Sequence, residues 1–412
     1  MKKIVILGTL DTKGPQIKHL KEQIEARGQK AVILDLSMGG EPPFKADITP
    51  SEILACSGPN SGSDVPAFLK EKGIAELKKV MAIGAGNKVM ELLSKGEIDG
   101  IVALGGLSMA MLAASVMQKL PFGIPKVIGT TAAMVAYVKD LFGASDITLM
   151  QLIVEVGSIN DLSMHAIEQA AGAISGMVDI GRHYTTLKLP PNSVAITELN
   201  FTPKCARWVE ELLEKKGYNV FSFHAQGTSD RVMDNFIANG FFDGVIDIVP
   251  AGLVEEYFGG TRAAGMQRLD APIERGIPMV LTPCCLNLTG CGPTRKNHEM
   301  YASRPTFKLD ELRSYVRFTP DELKIAAKLY ADKLNKAKGP VKFLFPMKGW
   351  SNIDKQGTIL YNPEEDKIFL NELRKLLTAK IDIEEIDCCL EDEEFAVKLV
   401  DSLDSILKSI KK

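Results

Sequence analysis

The sequence predicts an α/β chain of two Rossmann-like domains, each a mainly parallel sheet flanked by helices, with a cleft between them. Three observations predict this. Apolar runs of the buried-strand type, such as Ile4-Val-Ile-Leu7, alternate with helical patterns, the order that builds parallel sheets. The same order restarts after Pro190-Pro191. Finally, 412 residues are too many for one ordinary core and suit two of roughly 200 residues.

The first strand ends at Gly8 and leads into a helix expected from Gly14 to Ala26, with Ile17, Leu20 and Ile24 on one face and Gly28 as its stop. Ala31-Val-Ile-Leu-Asp-Leu36 is the second strand, so the opening segment is a βαβ unit with a right-handed crossover. The stretch from Ser37 to Pro66, rich in Gly, Pro and Ser, is read as a flap or insertion. Strands are expected at 98–104 and 125–128 with a helix between them. A periodic helix from Leu162 to Val178 carries small residues, among them Ala170, Ala171 and Gly176, that suit close packing. Residues 1–180 make the first domain, 181–192 the linker with its paired prolines, and 193–412 the second domain.

In the second half, Ser193-Val-Ala-Ile-Thr197 is a strand, Thr202-Pro203-Lys204 opens a helix that Gly217 closes, and Tyr218 to Phe223 is the next strand. Further strands are expected at 244–248, 278–281 and 341–345, with helices from Pro320 to Leu334 and from Glu391 to Leu407.

The composition, 45% hydrophobic and 25% charged, is that of a soluble globular protein, and no apolar run approaches the roughly 18 residues of a membrane helix. A formal net charge of −3 lacks the footprint of a non-specific nucleic-acid binder. Seven cysteines in so long a chain do not make a secretory disulfide framework, and the cytosol is the expected compartment. Cys284, Cys285 and Cys291 cluster without a zinc-site spacing, so a structural or loop-borne role is expected for them. The expected partner is a small anionic ligand, with neither nucleic acid nor membrane, and a homodimer or higher homo-oligomer is the prior on symmetry grounds.

Ligands of open parallel sheets bind beyond the carboxyl ends of the strands, where helix amino termini offer unpaired amides. Polar clusters fall at such ends. Gly8-Thr9-Leu10-Asp11-Thr12-Lys13 puts hydroxyls, a carboxylate and an ammonium after the first strand. Gly105-Gly106-Leu107-Ser108 has glycines that let backbone amides approach a phosphate or carboxylate, and Gly129-Thr130-Thr131 adds hydroxyls. In the second half, His224 at a strand end, followed by Gly227-Thr228, suits general acid–base work or anion binding. Lys348, in Pro346-Met347-Lys348-Gly349-Trp350, is the candidate electrostatic stabiliser or amine nucleophile. By contrast, Gly259-Gly260-Thr261-Arg262 and Arg295-Lys296-Asn297-His298 are read as solvated turns.

At these motifs the chain resembles the Tm-one-like ATP-binding family, bacterial and archaeal proteins related to part of a plant tobamovirus-resistance protein. The resemblance runs nearly end to end, through Gly8 to Lys13, Ala170 to Met177, Phe223 to Thr228, Arg268 to Pro283 and Pro346 to Gly349. It implies two Rossmann-like domains, self-association and, in some members, ATP and magnesium in the N-terminal half. The chain departs from the family where a Gly-Gly-Ser-Gly-Gly-Thr loop is replaced by Gly105-Gly106-Leu107-Ser108-Met109-Ala110. The added bulk and the lost hydroxyl count against ATP here. A second departure is the less polar Gly129 to Met134.

Two functions of different class follow. In the first, a metabolic enzyme acts on a small phosphorylated or carboxylated compound in the interdomain cleft; Asp11, His224 and Lys348 are catalytic, and Gly8, Thr9, Thr12, Lys13, Gly105, Gly106, Ser108, Gly129, Thr130, Gly227 and Thr228 bind the ligand. In the second, ATP orders a partner-binding or dimer surface without chemistry. A NAD-linked dehydrogenase, suggested by Asp35, is disfavoured by the missing dinucleotide fingerprint.

Overall fold

Runs such as Lys3–Gly8 and Gly100–Gly105 form strands buried on both faces, because every second residue points to the opposite side and almost every side chain is apolar. The computed structural model describes residues 1–412 except 60–61, 133–137, 139–140, 182–188, 294 and 411–412. The chain divides into two units, Met1–Leu187 and Lys188–Lys412. Of the expected linker, 182–188 lie outside the described residues, as do Ala133 and Met134.

The N-terminal unit runs β1 (Lys3–Gly8), α1 (Leu10–Glu25), β2 (Lys30–Asp35), α2 (Pro50–Ala55), α3 (Val65–Ser94), β3 (Gly100–Gly105), α4 (Leu107–Met117), β4 (Lys126–Thr130), β5 (Thr148–Gln151) and α5 (Asp161–Asp179). Its sheet has the order β2-β1-β3-β4-β5, and all its pairings are parallel. Val5 and Leu7 pack with Leu77 and Met81 of α3 and Ala113 of α4 on one face. Ile4 and Ile6 pack with Ile17 and Leu20 of α1 and Ile174 of α5 on the other.

Two expectations are corrected here, and one helix is added. Helix α1 starts at Leu10, four residues early, because the Asp35 carboxylate accepts from the Leu10 amide at 3.0 Å and the Ser37 hydroxyl accepts from the Asp11 amide at 3.0 Å. It then kinks at Lys13, where φ is −132°. The segment after Ser37 is no free flap: the Asp35 amide donates to Ile48 O and the Ile48 amide to Ile33 O, each at 3.0 Å. A capping box from Thr49 to Glu52 then starts α2. A β-carbon at Gly14 would sit 2.3 Å from Pro43 Cγ, so glycine there lets this segment lie against α1. The sequence reading gives no element to α3, which has 30 residues and a break at Gly73.

The C-terminal unit runs β6 (Ser193–Glu198), α6 (Pro203–Lys215), β7 (Asn219–His224), α7 (Thr228–Ala238), β8 (Gly244–Asp247), α8 (Gly252–Tyr257), α9 (Asp270–Arg275), β9 (Met279–Leu281), β10 (Leu288–Gly290), β11 (Thr306–Lys308) and β12 (Ser314–Arg317). It continues with α10 (Pro320–Leu334), β13 (Val341–Pro346), β14 (Gly349–Ser351), β15 (Asp354–Lys355), α11 (Pro363–Leu376), β16 (Ile381–Ile386) and α12 (Glu393–Ile410). The main sheet, β16-β13-β9-β8-β6-β7, is again parallel throughout. A small antiparallel sheet, β10-β12-β11, and the hairpin β14-β15 are additions. No helix among the described residues is long and apolar enough to cross a membrane.

Candidate functional site

The order β2-β1-β3-β4-β5 reverses direction between β1 and β3, and a crevice outside the carboxyl ends of those two strands follows from the connections leaving on opposite faces. A cavity of about 830 Å³ lies there, within the usual size of small-molecule pockets. Its wall is Thr9, Asp11 and Thr12 after β1, Met38 after β2, Lys78 and Lys79 of α3, and Gly106, Leu107, Ser108, Met109, Met111 and Leu112 at the start of α4. A smaller cleft of about 290 Å³ at the amino ends of β1 and β2 is lined by charges that neutralise one another, including Lys3 with Glu97 at 3.1 Å and Lys88 with Glu91 at 2.9 Å.

The two helix starts at the larger cavity differ. At α1 the first amides are already engaged by Asp35 and Ser37, and the Thr9 and Thr12 hydroxyls bond each other at 2.7 Å. At α4, Gly106 provides no side-chain cap, so the positive end of an 11-residue helix faces the cavity; the Glu155 carboxylate, bonded to Thr131, stands 3.9 Å from where a β-carbon of Gly106 would sit. Lys79 is paired with Glu76 at 3.0 Å. Lys78 is exposed and makes no ion pair among the described residues.

The expected binding residues therefore separate. Thr9, Thr12, Gly106 and Ser108 line the cavity, as does Asp11, whose Oδ2 accepts from the Gly40 amide at 3.2 Å. Lys13 is not in its wall; its ammonium donates to Val156 O at 2.9 Å. Gly8, Gly105, Gly129 and Thr130 are buried strand residues, and the Thr130 hydroxyl accepts from the Ala132 amide at 3.2 Å. Thr131 instead bonds Glu155. Asp35 does not present its carboxylate to a ribose: the residue is buried, its Oδ1 holds Leu10 and both the amide and hydroxyl of Ser37, and its unpartnered Oδ2 is buried as well.

In the C-terminal unit the corresponding reversal lies between β6 and β8, and protein side chains fill it. Asp247, the last residue of β8, accepts from the Thr197 hydroxyl at 2.8 Å and pairs with the fully buried Arg268 at 2.5 Å. Arg268 also meets Asp234 at 3.1 Å and Asp230 at 3.4 Å. Burial pushes Asp230 upward and Asp234 up to about 6, against the pull of the guanidinium. Asp230 also takes the Gly227 amide at 2.7 Å. Gly227 has φ +88°, and a β-carbon there would sit 2.4 Å from Ala263 O, so its glycine serves the packing of this turn. Thr228 is the first residue of α7.

His224 is exposed at the end of the edge strand β7 and makes no side-chain hydrogen bond among the described residues. Lys348 is exposed and paired with Asp387 at 2.9 Å. Strands β9, β8 and β6 separate β13 from β7, so the ends bearing Lys348 and His224 are four spacings apart, roughly 19 Å at about 4.8 Å per strand. The two expected catalytic groups of this unit are not brought together.

The Gly259 to Arg262 stretch is not a solvated turn. Arg262 is fully buried, pairs with Glu255 at 2.5 Å and lies 5.2 Å from the Tyr315 ring centroid. Cys284 and Cys285 are buried with their sulfurs 3.6 Å apart, and Cys291 is buried too. The sequence reading also misses a second buried cluster, in which Asn287 donates to Asp354 at 2.6 Å and to Asp366 at 2.8 Å while Arg317 pairs with both. No group of His, Cys, Asp and Glu suited to a metal ion occurs among the described residues.

The sequence comparisons agree with the two-unit architecture. The models of the Uncharacterised protein family (UPF0261) match this chain, the N-terminal domain over residues 2–183 and the C-terminal domain over 192–407. The chain belongs to this family. A UPF0261 protein of Clostridium tetani is 33% identical over 99% of each chain. The ToMV susceptible protein tm-1(GCR26) of Solanum lycopersicum is 31% identical over 97% of this chain, which spans 55% of that longer protein. The Tm-one-like resemblance therefore holds. Among solved structures, UDP-N-acetylglucosamine 2-epimerase from Rickettsia bellii aligns over 98% of each chain at 12% identity and a TM-score of 0.23, which supports no argument about function.

Proposed function

We propose that this chain is a metabolic enzyme whose substrate, a small phosphorylated or carboxylated compound, binds at the carboxyl edge of the five-stranded sheet. The observation that carries the reading is the cavity at the β1/β3 reversal, with the uncapped start of α4 in its wall. In this reading the anion lies against the amides of Leu107 and Ser108, with the Thr9 and Thr12 hydroxyls beside it. Asp11 supports a catalytic interpretation because its carboxylate lines the same wall. ATP with magnesium, implied by the resemblance, is less well supported. The α1 amides are engaged, Leu107 and Met109 stand in the wall, and Lys78 is the one lysine there without an ion pair among the described residues.

A thermal-shift series on the full chain with glycerol 3-phosphate, citrate and magnesium ATP tests the reading. A ligand bound at one hundred times its Kd stabilises by about 2.7 kcal/mol. Ser108→Glu, which puts a carboxylate where the anion would sit, is expected to weaken that ligand at least tenfold. A stabilising ligand that is indifferent to this substitution binds elsewhere and refutes the proposal.

A further inference from the structure

The cavity has a second chemistry besides its positive end. Five of its lining side chains are apolar, Met38, Leu107, Met109, Met111 and Leu112. Met38, Met109, Met111 and Leu112 are half-buried against the core between the sheet and helices α3 and α4. The apolar wall is thus continuous with the interior. Three of the five are methionines, unbranched thioethers that mould themselves around flexible guests. The available positive charge is small: Lys78, without an ion pair among the described residues, and the partial charge at the start of α4. Lys79 is neutralised by Glu76, Asp11 adds a negative charge to the wall, and the Glu155 carboxylate stands beside Gly106 at the start of α4.

We infer that the ligand of this site is an anion with an unbranched hydrocarbon body, an acyl-chain carboxylate or an alkyl phosphate. The inference rests on the anion-site reading above and narrows it. One carboxylate or phosphate head matches the modest positive charge, whereas the several charges of a nucleoside triphosphate exceed it. A hydrated sugar phosphate leaves the methionine wall without an apolar partner. A hydrocarbon tail covers that wall and gains about fourfold in affinity for each buried methylene.

Calorimetric titration of the full chain with hexanoate, octanoate, decanoate, decyl phosphate, decan-1-ol, inorganic phosphate and magnesium ATP tests this. The carboxylates are expected to tighten by about fourfold per added methylene. Comparing decanoate with decyl phosphate shows which head the site prefers. Lys78→Glu, at an exposed position, is expected to weaken decanoate and decyl phosphate at least tenfold and leave decan-1-ol unchanged, while Met111→Gln flattens the chain-length series. If phosphate or ATP binds and Ser108→Glu blocks it while decanoate fails to bind, the anion site stands and the hydrocarbon inference falls. If no probe binds, both fall. Decanoate binding indifferent to both Lys78→Glu and Met111→Gln marks non-specific adsorption and overturns the inference.

Discussion

Arg268→Met is expected to unfold the C-terminal unit under conditions where the parent chain is stable. Arg268 is fully buried, and three carboxylates, Asp230, Asp234 and Asp247, converge on it. The substitution preserves much of the side-chain volume but leaves these acids without their cation. Breaking a buried ion pair from one side costs about 3–5 kcal/mol, a large share of a domain's stability. Both tryptophans, Trp208 and Trp350, lie in this unit, so urea denaturation followed by tryptophan fluorescence reads it selectively. The midpoint should fall steeply near neutrality and recover in part on acidification, when the carboxylates take up protons. A midpoint close to that of the parent chain would show that the cluster is not held by this arginine.

The second large effect is a stability that declines as pH rises. Burial, followed by the neighbouring Asp354 charge, pushes the Asp366 carboxyl up to about 8, and burial pushes Asp354 up to about 6, while Arg317 and Asn287 pull the other way. The folded chain therefore binds more protons than the unfolded chain, whose aspartates titrate near 4. Stability from this pair is fully present below the unfolded pKa and is lost as pH rises through the folded values, so the window is about pH 4 to 8. Each proton held only by the folded state contributes a slope of about 1.4 kcal/mol per pH unit inside that window. The tryptophan-monitored urea midpoint should fall between about pH 5 and 8, and Asp366→Asn should flatten the fall. A midpoint that rises over this interval, or an equally steep Asp366→Asn profile, would contradict the assignment.

The strands were legible because apolar runs bounded by turn residues have few other folds available. Their carboxyl ends could therefore be marked as ligand territory from Gly8, Gly105 and His224 alone. What local pattern does not encode is strand order. His224 and Lys348 look equivalent in sequence, yet three intervening strands separate β7 from β13. Nor does sequence show which amides are already engaged. The α1 start looks more ligand-ready than α4, but Asp35 and Ser37, more than twenty residues along the chain, occupy its amides. Helix α3 carried a readable signal in Leu77, Met81, Ala85 and Val89, buried at four-residue spacing, which Gly73, Gly84 and Gly86 interrupt. Arg262 follows two glycines and a threonine, which suggest a solvated turn, and nothing in the local pattern marks Arg268 as buried. Their burial depends on Glu255 and on a set of aspartates assembled by tertiary structure.

The most direct measurement of where the ligand binds is methyl NMR of the methionine-labelled full chain titrated with decyl phosphate. The Met38, Met109 and Met111 methyls should shift together and saturate, while Met233 and Met279, in the core of the C-terminal unit, should stay in place. Saturable shifts confined to the methionines of the C-terminal unit, or no saturable shift at all, would contradict a binding site at the start of α4.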